Sequence, residues 1–159
     1  AQWSEFDLDK GEWNVPAGRM KMRKAHWVPL SRQAVKLLRE LREISTGPLL
    51  FPNTRDQRKP MAGRSLNALL GRLGFLEQAK PHGFRAMFST HFNEAGWNPD
   101  VIEAALAHTP KDATRAKYNR HEYREEQRKL LQHWANTLEA ISTGAKVVPI
   151  GLKQALKTA

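Results

Sequence analysis

Pro81-His82-Gly83-Phe84-Arg85-Ala86-Met87-Phe88-Ser89-Thr90-His91-Phe92 is the stretch on which the reading of this chain turns. A proline is at home in the first turn of a helix, where its missing N–H costs nothing. Phe84, Met87, Phe88 and Phe92 then recur at helical spacing along one apolar side, and Gly96 follows as a stop. His82 and Arg85 stand three apart and so share a face of the first turn. Backbone N–H groups at such an end favour phosphate. A capping histidine beside a surface arginine would make the same H-x-x-R pattern.

Downstream, residues 99–107 read as a short helix ending in the small-residue run Ala104-Ala105-Leu106-Ala107, and His108 follows. Tyr118 comes ten residues later among Lys111, Arg115, Lys117 and Arg120. An ordinary phenol has a pKa of about 10 and must lose its proton to attack, so a tyrosine among cations suits a nucleophile working on phosphate. A half-buried tyrosine anchoring the next helix fits the same pattern. From about Tyr118 a long helix is expected, with Leu130, Leu131, Trp134, Leu138 and Ile141 at helical spacing and Gly144 at its end. Val147-Val148-Pro149-Ile150 is an apolar run that must pack somewhere.

Upstream, residues 13–15, 19–24 and 26–30 read as short strands around a basic turn, Pro29 marking a strand end. Alternation would put Met20 and Met22 on one face and Lys21 and Arg23 on the other. Ser31 is a good N-cap for a helix carrying Val35, Leu37, Leu38, Leu41 and Ile44, stopped by Gly47-Pro48. Leu49-Leu50-Phe51 reads as a short buried run, and residues 53–64 as a polar, basic loop. Ser65 opens a further amphipathic helix with Leu66, Leu69, Leu70 and Leu73, ended by Gly74. The opening, Gln2-Trp3-Ser4-Glu5-Phe6-Asp7, reads as the end of a helix running into a strand, as if cut from something longer. The expected fold is mainly α with a small antiparallel β-sheet, one domain over residues 1–145 with a tail segment at 146–159.

At 159 residues the chain can bury one substantial core, and 40% apolar with 26% charged residues is a globular composition. No run approaches the roughly 18 apolar residues of a membrane span. The absence of cysteine excludes disulfides, thiolate nucleophiles and Cys-based zinc sites. The 26 Lys and Arg outnumber 16 Asp and Glu, a balance that points to a polyanion such as nucleic acid. Residues 19–42 concentrate that charge, with eight basic side chains against Glu40 alone. Clustered cations of this kind gain from counterion release on DNA. His82, His91 and His108 are spaced unlike any metal motif, and no carboxylate cluster suggests a two-metal site.

The order of these features resembles the catalytic half of the tyrosine recombinases, and within them integrases of the prophage and genomic-island type. The matching segments are Gln2 to Asp9, Met20-Lys21-Met22-Arg23-Lys24 with His26 to Ser31, Pro81 to Ala86, Leu106-Ala107-His108-Thr109, and Arg115-Ala116-Lys117-Tyr118-Asn119-Arg120. The resemblance implies a DNA breaking-and-rejoining fold and strand cleavage through a 3′-phosphotyrosine. It casts Lys21 as the general acid for the leaving 5′-oxygen, with Lys24 as the fallback. His82 would be an acid/base and phosphate contact, Arg85 the clamp on a non-bridging oxygen, His108 a second phosphate donor and Tyr118 the nucleophile.

DNA contacts are expected at Arg19, Arg23, Lys24, Arg58, Lys59, Arg64, Arg72, Arg115, Lys117 and Arg120. The implied partners are double-stranded DNA at attachment sites and further copies of the protein in a homotetramer on DNA. No cofactor, metal or membrane is implied, and the expected location is the bacterial cytoplasm, at the nucleoid. The family's first arginine should lie ahead of the Trp-Ser-Glu-Phe-Asp segment, where this sequence has none, so the chain by itself is expected to be nearly inactive. A type IB topoisomerase-like strand nicker and a DNA-binding module without catalysis remain as alternatives.

Overall fold

The structure, a computed structural model, describes residues 1–75, 77–108 and 123–145. Tyr118, with Arg115, Lys117 and Arg120, and the tail 146–159 lie outside the described residues. The fold is mainly helical with one small antiparallel sheet.

The sheet is a meander of β1 (Phe6–Asp7), β2 (Glu12–Val15) and β3 (His26–Pro29), in the order β1-β2-β3. Phe6 pairs with Trp13, Trp13 with Val28, and Val15 with His26. Gly11, at φ +63 and with the Leu30 carbonyl 3.4 Å from where a Cβ would stand, makes the tight return into β2. The strand expected over residues 19–24 does not form. After Pro16 the backbone bonds go into successive turns: Arg19 N–H to the Pro16 carbonyl, Met20 N–H to Ala17, Arg23 N–H to Met20. The first of these is a 3-10 turn, Ala17–Arg19, and Arg23 then takes a left-handed φ of 50. Bonds spent on turns cannot build a ladder, so the two-faced alternation of Met20–Met22 and Lys21–Arg23 is absent, and Met22 is exposed.

Five helices follow among the described residues. Helix α1 (Arg32–Ile44) is capped by Ser31, whose Oγ accepts from the Ala34 N–H at 3.1 Å. Helix α2 (Ser65–Arg72) ends before Gly74 at φ +80. Helix α3 (Gly83–Glu94) starts two residues later than the proline suggested, with His82 as its N-cap. Helix α4 (Pro99–Ala105) is capped by the Asn98 side chain, which accepts from Asp100 N–H at 3.0 Å. Helix α5 (Arg124–Ser142) ends ahead of Gly144. None of them is long and apolar enough to cross a membrane.

The core lies where α3, α4 and α5 meet. Phe88, Phe92, Val101, Ile102, Leu106 and Leu130 are buried together, with Trp97 and Trp134 packed against them. Phe88 meets Phe92 edge-on at 4.8 Å and Trp134 at 5.6 Å, the tilted arrangement that aromatic quadrupoles favour. His91 belongs to this cluster, 5.3 Å from the Trp134 ring. Much of the remaining apolar periodicity is not core. Leu37 and Ile44 of α1, Leu66, Leu69 and Leu73 around α2, Phe84 and Met87 of α3, and Leu138 and Ile141 of α5 are all exposed. Of the expected buried run only Leu50 is buried, and Phe51 is exposed.

Polar contacts fasten α5 to the rest. Gln132 bonds both Gln33 and the Arg32 N–H of α1, while Arg128 reaches Glu12 of β2 and the Lys10 carbonyl. Arg124 and Arg128 both lie over the Trp27 ring of β3, at 4.8 and 5.1 Å.

At the other end Trp3–Glu5 form a 3-10 turn leading into β1. Glu5 is buried there, accepting from Trp13 Nε1 at 3.0 Å and from Arg19. Burial opposes the charge on Glu5, but these two hydrogen bonds outweigh it and hold the carboxyl below its ordinary pKa. Arg19 is thereby tied to the turn that launches the Lys21 loop.

The C-terminus of α4 is a Schellman closure. His108 N–H donates to the Glu103 carbonyl at 3.0 Å and Ala107 N–H to Ala104 at 3.1 Å, with Ala107 in the left-handed position at φ 56. Glycine usually fills that position, since a Cβ there is strained.

Glu5→Ala should cost roughly 2 kcal/mol in urea denaturation, because a charged hydrogen-bond acceptor is removed from beneath Trp13 and Arg19. Since folding lowers the Glu5 pKa, its contribution is present above about pH 4.3, the unfolded value, and is lost as pH falls through the folded one. An alanine variant as stable as the parent at pH 7 would contradict this. Ala107→Gly should stabilise the chain by about 0.5–1 kcal/mol by relieving the left-handed alanine; a lowered denaturation midpoint would contradict it.

Candidate active site

Helix α3 begins at the edge of the core, so its first turn is exposed while Phe88 and Phe92 anchor the next two. His82 occupies the N-cap in helical geometry and makes no side-chain capping bond, leaving its ring at the open end of the helix. Arg85 follows one turn on, its backbone N–H donating to the His82 carbonyl at 3.1 Å.

From there the Arg85 guanidinium crosses to the C-terminal turn of α4. One amino group donates to the Leu106 carbonyl, and the same nitrogen lies 3.2 Å from His108 Nε2. The Leu106 carbonyl is one of those a helix end leaves unpaired, so a cation there satisfies both the acceptor and the helix dipole. Among the described residues the rest of the arginine fork has no other partner, and it stays available to an anion. His108 Nδ1 lies 2.7 Å from Glu103 Oε2. With side chains 48% and 46% exposed, this histidine–carboxylate pair is open to solvent and to a large ligand.

A second histidine approaches from the sheet. His26, the first residue of β3, lies near the Ala105 backbone and feels the charge of Arg85. Its burial, chiefly, pushes its pKa down, with the Arg85 charge adding to this and the nearby Ala105 backbone opposing it. The loop holding Lys21 and Lys24 runs into this same residue, so the lysines leave the sheet at the end that lies near α4. Both lysines are exposed.

The structure thus brings Arg85 and His108 together and puts His82 on the same first turn as Arg85. Tyr118 lies outside the described residues. Of the expected DNA contacts, Arg19 is engaged by Glu5. Arg58 and Lys59 share Asp56 at 3.1 and 3.7 Å, as exposed pairs that DNA could readily compete for. Arg23 is exposed in the lysine loop, and Arg64 and Arg72 are exposed at the two ends of α2.

Sequence reasoning passed over two members of the cluster. Glu103 precedes His108 by five residues, a separation that matters only once the Schellman turn doubles the chain back. His26 lies 59 residues from Arg85 along the chain, and only the register of β3 against β2 aims it at α4.

The model of the phage integrase family matches residues 1–125. The chain is 42% identical over 149 residues to the prophage integrase IntA of Escherichia coli K12, covering 93% of this chain and 36% of that protein. It is 38% identical to the integrase of Enterobacteria phage P4 and 34% identical to that of Shigella phage Sf6, each match covering 87% of this chain and 36% of the relative. The chain therefore spans about a third of the length of the curated relatives it matches. No solved structure matches it. With a family model across most of its residues and relatives of this identity, the chain belongs to the phage integrase family.

Proposed function

We propose that this chain supplies the phosphoryl-transfer centre of a site-specific DNA recombinase, cutting double-stranded DNA at attachment sites through a 3′-phosphotyrosine. The observation that carries the reading is the Arg85 guanidinium, held at one nitrogen by Leu106 and His108 and, among the described residues, open at the others beside the end of a helix. A planar fork with unused donors matches the non-bridging oxygens of a phosphodiester. A pentavalent phosphorane concentrates charge on those oxygens, and preorganised donors stabilise it where charge develops.

In this mechanism the Tyr118 hydroxyl attacks the phosphorus and the P–O5′ bond breaks. Lys21, from its loop at the sheet end, gives a proton to the departing 5′-oxygen, while His82 serves as acid/base and phosphate contact. His108 is the further phosphate contact; without DNA its Nδ1 faces Glu103 and its Nε2 the Arg85 guanidinium. One phosphodiester replaces another, so attack by a 5′-hydroxyl on the phosphotyrosine reseals the strand without an external energy source. Arg23, Lys24, Arg58, Lys59, Arg64, Arg72, Arg115, Lys117 and Arg120 would contribute backbone contacts, which position DNA without reading its sequence. Assembly as a homotetramer, with the segment 146–159 docking on a neighbouring subunit, would couple cleavage to synapsis.

Incubation of the full-length protein with a nicked suicide duplex tests the nucleophile. Tyr118→Phe should abolish the covalent adduct and leave DNA binding intact; an undiminished adduct would sink the assignment and turn attention to Tyr123. Arg85→Ala should lower cleavage by roughly 10² to 10³, with Arg85→Lys a poor substitute. Near-normal cleavage by the lysine variant would show that Arg85 only positions the backbone. A 5′-bridging phosphorothiolate, whose sulfur leaves without a proton, should largely restore cleavage by Lys21→Ala; rescue of Lys24→Ala instead would move the general acid three residues along the loop.

A further inference from the structure

Building on the recombinase reading, we propose that Glu103 is a positioning residue for DNA cleavage, setting the tautomer and orientation of His108 and, through it, the fork of Arg85. An arginine can only donate hydrogen bonds. The guanidinium nitrogen 3.2 Å from His108 Nε2 therefore requires a lone pair on that ring nitrogen, which places the imidazole proton on Nδ1. Nδ1–H in turn needs an acceptor, and Glu103 Oε2 stands 2.7 Å away. The three groups form a directed chain in which each contact fixes the polarity of the next.

Glu103 holds His108 twice over. Its backbone carbonyl receives the His108 N–H in the Schellman closure, and its carboxylate receives the ring. The first contact sets where the Cα of His108 stands and the second sets how the ring turns. An isolated exposed ion pair contributes little, because two free side chains must be ordered to make it. Here the backbone closure has already ordered the histidine, so the carboxylate acts on a ring with few alternatives left. Without it, a ring rotation would put carbon where Nε2 and Nδ1 now stand and turn both nitrogens away from their partners. The guanidinium would then keep the Leu106 carbonyl alone and could pivot about that bond. Carboxylates that orient metal-ligating histidines by the same contact matter about 10- to 100-fold, and a loss of that order is expected here.

The test pairs a spectroscopic readout on this chain with cleavage by the full-length protein. Nitrogen-15 NMR of the His108 ring should report protonated Nδ1 and unprotonated Nε2, a preference lost in Glu103→Ala and kept in Glu103→Gln, whose carbonyl still accepts from Nδ1–H. Cleavage by Glu103→Ala should fall about 10- to 100-fold, and Glu103→Gln should recover the greater part of that loss. Adding Glu103→Ala to His108→Ala should cause no further loss, since the carboxylate acts through the ring. The proposal is overturned by an Nε2–H tautomer in the parent chain, by full-rate cleavage in Glu103→Ala, or by a double variant much slower than His108→Ala. An adduct that survives Tyr118→Phe would instead overturn the recombinase reading, and the role of Glu103 in cleavage with it, whatever the ring spectra report.

Discussion

The reach of one guanidinium, from the first turn of α3 to the last turn of α4, is the interaction on which the candidate site depends. Arg85 can span that gap because hydrophobic burial fixes both helices. Phe88 and Phe92, one and two turns beyond it, pack with Val101, Ile102 and Leu106 of α4 and with Leu130 of α5. The energetic weight lies in those contacts, at roughly 1.5–3 kcal/mol for each large side chain removed from water. The arginine contributes little to folding by comparison. Its value lies in direction, since it gives a packed helix pair an exposed end with oriented donors.

The sheet serves the same site from the other side. Arg128 and the Trp27 ring fasten β3 to α5, and His26 at the start of β3 lies near the Ala105 backbone. Glu5 secures Arg19 ahead of the lysine loop. The loop thus runs between a carboxylate-bound arginine before it and a half-buried histidine near α4 after it. A lysine that must meet a leaving group needs reach with a defined origin, and this arrangement provides both. Arg23 within the loop takes a left-handed φ of 50, an uncommon conformation for a residue with a side chain.

Local signals carried much of the architecture. Ser31 as a cap, Pro29 as a strand end and the glycines at 74, 96 and 144 all mark boundaries through backbone chemistry that a sequence displays directly. The H-x-x-R pair was legible for the same reason, because its geometry is set within a single turn. The strand expected over residues 19–24 was not legible, since alternating Met and basic residues satisfy a strand pattern while the hydrogen bonds go to turns. Exposed leucines on α1 and α2 mislead in a similar way: periodicity reports amphipathicity, not which surface is covered. Glu103 and His26 were hidden because their roles arise from long-range placement, one by chain reversal at a helix end and the other by strand register.

The most direct measurement is a crystal structure of the full-length protein holding a DNA substrate with vanadate in place of the scissile phosphate. The account predicts equatorial vanadate oxygens within hydrogen-bonding distance of the Arg85 guanidinium nitrogens that do not face Leu106 and His108. Glu103 should remain on Nδ1, Tyr118 should lie at one apex and the Lys21 ammonium beside the opposite oxygen. A vanadate bound away from Arg85, with the guanidinium still confined to Leu106 and His108, would contradict it.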